Sequence, residues 1–156
     1  MSVSFSEMDN QERLYSFVGN DGSNIHVAIE RLHFWVLQNE DTLVRKHQLW
    51  MTPLSPAMAV KFIKAGLVNR ERVRGLSDFE MKVPIIYGKE EKGRIAHVDM
   101  FLLDGRHRYV RAVSLGKESI QAYVLKPKQW YQFLVTDVPN ITQDQLDRMP
   151  VKSGPR

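Results

Sequence analysis

The stretch “FLLDGRHRYVRAVSLG”, residues 101–116, decides the fold because its hydrophobic period changes halfway along it. Before Asp104 the apolar residues lie on both faces of an alternating pattern, which is typical of the buried end of a strand. Beyond Gly105 the apolar residues recur at intervals of three and four, as on one face of a helix: Tyr109, Ala112 and Val113. Gly116 then stands where a helix C-cap belongs. The pattern predicts a strand, a tight turn and a helix.

A hairpin is the alternative, because Asp-Gly between two apolar runs is also a signal for a two-residue turn between strands. A strand over residues 106–116 would place Arg108 and Val110 on one face and would break the alternation of apolar and polar residues. The helix is therefore the favoured interpretation of this segment.

The start of the predicted helix carries positive side chains: Arg106, His107, Arg108 and Arg111. Positive charge is unfavourable at this end of the helix dipole. Unpaired backbone N–H groups and guanidinium groups, however, both bind phosphate oxygens, and Gly105 would let a ligand approach the backbone. Two interpretations remain open. The helix start binds an anion, or it is a solvated basic surface that Asp104 or Asp99 neutralises.

The rest of the chain predicts an α+β fold, with a small mixed sheet flanked by helices. Strand patterns occur in “IHVAIERL”, “KVPIIYG” and “SIQAYVL”, and “SPAMAVKFIK” has a helix cap at Ser55 with Pro56 in the first turn. We expect three segments. A loose N-terminal arm covers residues 1–24, one domain covers 25–136, and a C-terminal tail with a surface helix and a frayed end covers 137–156.

The composition excludes several classes of protein. At 156 residues the chain is long enough to bury a core without metal or disulfide staples. It has no cysteine, which excludes disulfides, thiolate zinc sites and a thiol nucleophile. No apolar run could cross a bilayer and the N-terminus lacks the layout of a secretory signal, so we expect a cytoplasmic protein that binds no membrane. The net charge of +4 fits an anionic partner without requiring one.

The segment “LLDGRHRYVRAVSLGKESIQAYVL”, residues 102–125, resembles the signature of the ParB/sulfiredoxin fold. In that fold a strand runs into a glycine turn, a basic helix start, a helix that ends in glycine and a return strand. Residues 105–109 are especially similar to the sulfiredoxin phosphate-binding motif Gly-Cys-His-Arg-Tyr. The resemblance covers residues 82–126 well and the rest loosely. It implies a ParB/sulfiredoxin-like domain that binds a nucleoside triphosphate, ATP or CTP, with Gly105, His107 and Arg108 at the phosphates.

The chain also departs from this family in informative ways. Arg106 stands where a sulfiredoxin has its nucleophilic cysteine, so the protein is not a sulfiredoxin. In ParB partition proteins the motif is similar to Gly-Glu-Arg-Arg followed by Arg-Ala. Here Arg106 and His107 replace Glu-Arg, and Arg111 falls one residue late, so the pattern does not select CTP over ATP. We expect a stand-alone ParB-like domain of the phage or plasmid type, for which nucleotide hydrolysis, nuclease activity and inhibition of another machine are the candidate activities.

Two sets of residues could serve catalysis. His107 and Asp104 are the candidates for the base that activates water in a nucleotide hydrolase. For a metal-dependent DNase, His97 and Asp99 on one face of a strand are the candidate ligands of a Mg²⁺ ion. Asp99 and Asp104 are equally well explained as ion-pair partners of the arginines. Two alternatives to an enzyme stay open: an interaction protein that inhibits or recruits a protein partner and keeps a vestigial pocket, and an accessory protein that binds DNA.

Two aromatic clusters and one basic run have a functional and a structural interpretation. Trp130 and Tyr131 lie among lysines in “KPKQWYQF”, a mixture that can stack nucleic-acid bases. Trp50 and Met51 in “HQLWMTPL” could border a pocket. We favour packing for both clusters. The basic run could contact DNA, but we interpret it as a solvated face: Lys61, Lys64, Arg70, Arg72 and Arg74.

Overall fold

The structure is a computed structural model, and it describes residues 2–9, 12–18, 22–90 and 100–139. Its strands are β1 (Val3–Ser4), β2 (Leu14–Val18), β3 (Asn24–Ala28), β4 (Leu49–Pro53), β5 (Ile85–Lys89), β6 (Met100–Asp104), β7 (Ser119–Leu125) and β8 (Val135–Thr136). Its helices are α1 (Ile29–Gln38), α2 (Glu40–Arg45), α3 (Pro56–Lys64), α4 (Arg70–Gly75), α5 (Asp78–Met81), α6 (Arg106–Ser114) and α7 (Pro127–Trp130). Short 3₁₀ turns cover Phe5–Glu7 and Tyr131–Phe133. None of the helices in the described ranges is long and apolar enough to cross a bilayer.

The chain forms two compact units. Among the described residues, the first draws on those within 1–40, 89–100 and 126–155, and the second on those within 41–88 and 101–125. The segment 25–136, for which we expected one domain, therefore contributes to both units.

The first unit contains two small sheets. Strand β1 pairs in parallel with β8, and β2 pairs antiparallel with β3. Buried side chains from the chain start pack with Ala28 and Val135 in one apolar cluster: Val3, Phe5, Met8 and Leu14. Arg31 on α1 binds the carboxylate of Glu12 through two guanidinium nitrogens, at 2.6 and 3.0 Å. This ion pair lowers the pKa of Glu12, chiefly through the hydrogen bonds from Arg31.

The residues expected to form a loose arm therefore contribute two strands and part of a core. The expectation rested on the absence of a sustained hydrophobic period in residues 1–24. Strand β1 has two residues, which is too short for any period, and its partner β8 lies near the other end of the chain. Long-range pairing of this kind leaves no local pattern in the sequence.

The second unit is built on a four-stranded sheet with the order β4-β7-β5-β6. Strand β7 pairs antiparallel with β4 and parallel with β5, so the sheet is mixed. Helix α6 packs against β7 and contacts α3, α4 and α5. The core between these elements is apolar and includes Ile85, Val110, Ala112, Ile120 and Ala122. The structure thus confirms an α+β fold with a small mixed sheet and flanking helices.

The start of α3 follows the rule that its sequence predicts. The side chain of Ser55 accepts a hydrogen bond from the backbone N–H of Met58 at 3.2 Å, and Pro56 is the first helical residue. Gly66 follows the helix end in the left-handed region, with φ of 71°. A serine cap, a proline in the first turn and a terminal glycine are therefore sufficient local signals for this element.

Strand β4 is one of the two outer strands of the sheet among the described residues. Just before β4, the carbonyl of Gln48 accepts the N–H of Val124 on β7 at 2.8 Å. Just after β4, the N–H of Leu54 donates to the carbonyl of Glu118 at 2.8 Å. Since bonding alternates along an antiparallel pair, the backbone groups of Leu49, Met51 and Pro53 point away from β7. Proline has no N–H to donate, so Pro53 costs the sheet no hydrogen bond at this position.

Candidate functional site

The candidate site begins at Gly105, between β6 and α6. Gly105 is the N-cap of α6 and has a left-handed backbone, with φ of 112°. A Cβ atom at this position would lie 2.7 Å from Cβ of Ile85 on β5 and closer still to its Cγ2, far inside van der Waals contact. The glycine is therefore required by its backbone angle and by the close packing of Ile85. The predicted strand, tight turn and helix are all present.

Arg108 and Asp104 form an ion pair across this turn. The Nη2 atom of Arg108 donates to Oδ2 of Asp104 at 2.8 Å, and the two side chains are only 14% and 6% exposed. The same Nη2 lies 3.4 Å from the carbonyl oxygen of Pro84. The carboxylate of Asp104 thus balances the charge of one arginine at the helix start. This contact is the one predicted if Asp104 neutralises the helix start.

Two buried guanidinium nitrogens on α6 lack a hydrogen-bond partner within the part of the chain that the structure describes. The Nε atoms of Arg108 and Arg111 are buried, and neither has a hydrogen-bond partner among the described residues. The two arginines are three residues apart and therefore occupy neighbouring positions on the helix surface. Buried polar groups in folded proteins almost always have a hydrogen-bond partner. These two N–H groups therefore lack, among the described residues, the acceptor that a buried donor ordinarily has.

His107 makes a structural contact that its sequence context does not reveal. Its Nε2 accepts a hydrogen bond from the backbone N–H of Asn69 at 3.0 Å. Asn69 is the N-cap of α4, and its own side chain accepts from the N–H of Arg72. An accepting Nε2 carries no proton, so His107 holds the start of α4 as an acceptor at this atom.

Tyr109 does the same for another helix. Its Oη accepts the backbone N–H of Ser55, the N-cap of α3, at 2.8 Å. Its ring lies edge-on to Phe62 of α3, with the ring centroids 5.5 Å apart. Helix α6 therefore supplies hydrogen-bond acceptors to the N-caps of both α3 and α4.

The structure places Gly105, Arg106, His107 and Arg108 at the start of α6, whereas Arg111 lies in its last turn, three residues after Arg108. Arg106 and His107 are buried, as is Gly105, whereas Arg108 and Arg111 are partly exposed. An approaching ligand would meet these two arginines before the buried residues. The catalytic roles predicted for His107 and Asp104 stay predictions, and both side chains already hold contacts within the protein.

The predicted metal ligands His97 and Asp99 lie outside the described residues. Within the described ranges no group of three or more histidine, aspartate or glutamate side chains is placed to hold a metal ion.

Sequence reasoning missed three residues that shape the site. Pro84 and Ile85 approach it from the start of β5, and Asn69 approaches from the N-cap of α4. Asn69 had a local signal, since asparagine is a preferred N-cap, but nothing in the sequence pairs it with His107. The contacts of Pro84 and Ile85 depend on the tertiary placement of β5 beside the turn.

The two aromatic clusters differ from each other. Trp130 is buried, and its indole N–H donates to the carbonyl of Lys89 at 2.9 Å, which confirms the packing interpretation. Trp50 and Met51 were also expected to pack, but on the outer strand β4 they are 48% and 59% exposed. That expectation was wrong, because an outer strand leaves side chains uncovered that a central strand would bury. The basic run on α3 and α4 is exposed, as expected.

Comparison of the chain with protein-family models, with curated proteins and with solved structures gives no match. The function therefore has to be inferred from the contacts of the site itself.

Proposed function

We propose that this protein binds a nucleotide, or another ligand with a phosphate group, at the start of α6, as a ParB/sulfiredoxin-like domain of the phage or plasmid type. The principal contacts are the guanidinium groups of Arg108 and Arg111. The observation that supports this proposal is their pair of buried Nε–H groups, which have no acceptor among the described residues. Phosphate oxygens are suitable acceptors, because guanidinium groups bind them through parallel N–H bonds.

The helix start adds to this preference for an anion. No acidic residue occurs in the first turn of α6, and the dipole of the helix favours negative charge at this end. Asp104 balances the charge of Arg108, but its carboxylate contacts Nη2 and leaves Nε without a hydrogen bond. A phosphate group at Arg108 and Arg111 would supply the missing acceptors and the negative charge together.

Binding rather than hydrolysis is the function proposed. For His107 to act as a base through Nε2, its bond to the N–H of Asn69 would have to break. Asp104 would similarly have to leave Arg108. ATP and CTP are the ligands to test first, with and without Mg²⁺, because they are the nucleotides that the family resemblance implies.

The proposal is tested by titrating ATP, CTP and pyrophosphate into the wild-type protein by calorimetry. The Arg111→Lys variant keeps the positive charge and removes the buried Nε–H, and Arg108→Ala removes the other guanidinium. We expect each variant to bind about tenfold more weakly or worse, since a hydrogen bond to a charged group contributes about 1.5–3 kcal/mol. Circular dichroism checks that each variant is folded.

Arg74→Ala is the matched control, because Arg74 is an exposed arginine on the neighbouring helix α4. It removes the same net charge as Arg108→Ala and should leave the affinity unchanged. Failure of wild-type protein to bind any of the three probes at millimolar concentration would overturn the proposal. So would an equal loss of affinity in Arg74→Ala, because binding would then follow overall charge.

A non-enzymatic interaction protein is the second candidate. It is favoured because the side chains that hydrolysis would need, Asp104 and His107, already hold contacts inside the protein. In this case the fold is retained, the pocket is vestigial and another surface recruits or inhibits a partner. Absence of phosphate binding in the titration above, with the protein folded, would select this candidate.

A further inference from the structure

A groove on the second unit brings methionine side chains and lysine side chains together. It has a volume of about 240 Å³, and its lining includes Met51 of β4, Met81 at the end of α5, Ile120 of β7, and Lys82, Val83 and Lys117. The groove lies where β4 and β7 meet the segment that leads into β5. None of these residues belongs to the phosphate site proposed above.

Two of the apolar side chains that line the groove are exposed, whereas Ile120 is buried. Met51 is 59% exposed and Val83 is 43% exposed. Phe79 and Leu115, two residues from Met81 and Lys117 along the chain, are 80% and 52% exposed. Single exposed apolar residues are ordinary, but two in the lining of one groove, with two more exposed close by in the chain, are typical of a surface that binds another molecule. Methionine side chains can repack around different partners.

The charged residues of the groove favour an acidic partner. Lys82 and Lys117 are both exposed, and neither forms an ion pair with a described residue. Glu118 is next to Lys117 in the chain but does not line the groove. The nearby carboxylate of Glu80 is already engaged by the Ser77 N–H and by Arg72. The groove therefore presents two positive charges beside its apolar side chains, with the polar residues Ser119 and Gln121 also in the lining.

The size of the groove favours a peptide over a small molecule. Small-molecule sites commonly occupy about 300–1,000 Å³, so this groove is better suited to a few side chains of a longer ligand.

We propose that this groove docks an acidic peptide segment of a partner protein, with an apolar side chain over Met51 and Val83 and carboxylates at Lys82 and Lys117. The apolar contact supplies buried area, and the two lysines select acidic flanks.

The test uses a library of random twelve-residue peptides displayed on phage and selected on the full-length wild-type protein. We expect the enriched peptides to carry an apolar residue flanked by aspartate or glutamate. Synthetic copies should bind the Lys82→Glu/Lys117→Glu variant at least about tenfold more weakly, because two attractive charges become repulsive. Lys64→Glu, an exposed lysine on α3 that does not line the groove, is the matched control and should bind as the wild type does.

Methyl NMR of the methionines locates the bound peptide. The signals of Met51 and Met81 should shift on binding, whereas the signal of Met8, which is buried in the core of the first unit, should not. The proposal is overturned if no peptide is enriched, or if the enriched peptides are neutral or basic. It is also overturned if the double charge reversal leaves affinity unchanged or if the Met51 signal does not move.

Discussion

His107 accepts the backbone N–H of Asn69 at 3.0 Å, and this bond joins the first turn of α6 to the N-cap of α4. The side chain is buried, and its accepting atom is Nε2. A residue whose position in the motif suggests phosphate binding or catalysis thus has a structural contact that exists without any ligand.

Removing this acceptor should destabilise the fold. In His107→Ala the N–H of Asn69 loses its partner and a small cavity replaces the imidazole, so we expect a loss of about 1–3 kcal/mol in the free energy of unfolding. His107→Gln can reach Asn69 with its side-chain oxygen and should recover part of that loss. Urea unfolding followed by circular dichroism measures both. Equal stability of the alanine variant and the wild type would show that the bond contributes nothing.

Gly105 should be the least replaceable glycine of the site. In Gly105→Ala the new Cβ would overlap the side chain of Ile85, and the left-handed backbone adds strain, so we expect a loss of about 3 kcal/mol or more. Gly116→Ala is the matched control. Gly116 is also left-handed, with φ of 77°. Apart from its chain neighbours, no described residue has an atom within 4 Å of a Cβ added there.

Thermal unfolding of the two glycine variants separates packing from backbone strain. Gly116→Ala should lose only about 1 kcal/mol, which is the cost of a left-handed alanine. If both variants lose the same amount, the contact with Ile85 is not the reason for the glycine.

His26 should make the stability of the first unit sensitive to pH. Its Nδ1 lies 2.6 Å from the hydroxyl of Ser16 on the paired strand β2, and burial lowers the pKa of His26 below 6.5. The unfolded chain therefore binds a proton at a higher pH than the folded chain does. The stabilising contribution is complete above pH 6.5 and is lost as the pH falls through the lower folded pKa.

His26→Asn places an amide near the hydroxyl of Ser16 and does not titrate. We expect its free energy of unfolding to fall less than that of the wild type between about pH 7.5 and about pH 5.5. His47→Asn removes an exposed imidazole instead, at a left-handed position that asparagine tolerates. It should retain the wild-type pH dependence. A wild-type slope in His26→Asn would rule out this residue as the source.

Local signals in the sequence predict much of the second unit. The change of period after Asp104 predicts β6, the glycine turn and α6, and the cap at Ser55 predicts α3. These predictions succeed because each depends on residues within one or two turns of the chain. The pairing of β1 with β8 is not predictable in this way, because its register joins Val3 to Val135.

The candidate site is predictable in its residues and not in their contacts. Spacing places the arginines at a helix start, and nothing in the spacing distinguishes a ligand from a protein partner. Arg108 binds Asp104, which sequence reasoning considered, whereas His107 binds Asn69, which it did not. The sequence also fails to predict which apolar side chains are exposed, for a related reason. Trp50 and Met51 are apolar, but their burial depends on which strand of the sheet they occupy.

Because residues at the start of α6 already hold contacts within the protein, the same motif in another chain is not by itself evidence of ligand binding. Gly105 is required by Ile85, His107 holds Asn69, and Tyr109 holds Ser55. Three of the five residues from Gly105 to Tyr109 would therefore be retained by selection for folding alone, even after any ligand had been lost. A search with this five-residue motif would find proteins that share this helix junction. Among them, proteins that bind the ligand and proteins that do not would differ at the arginines.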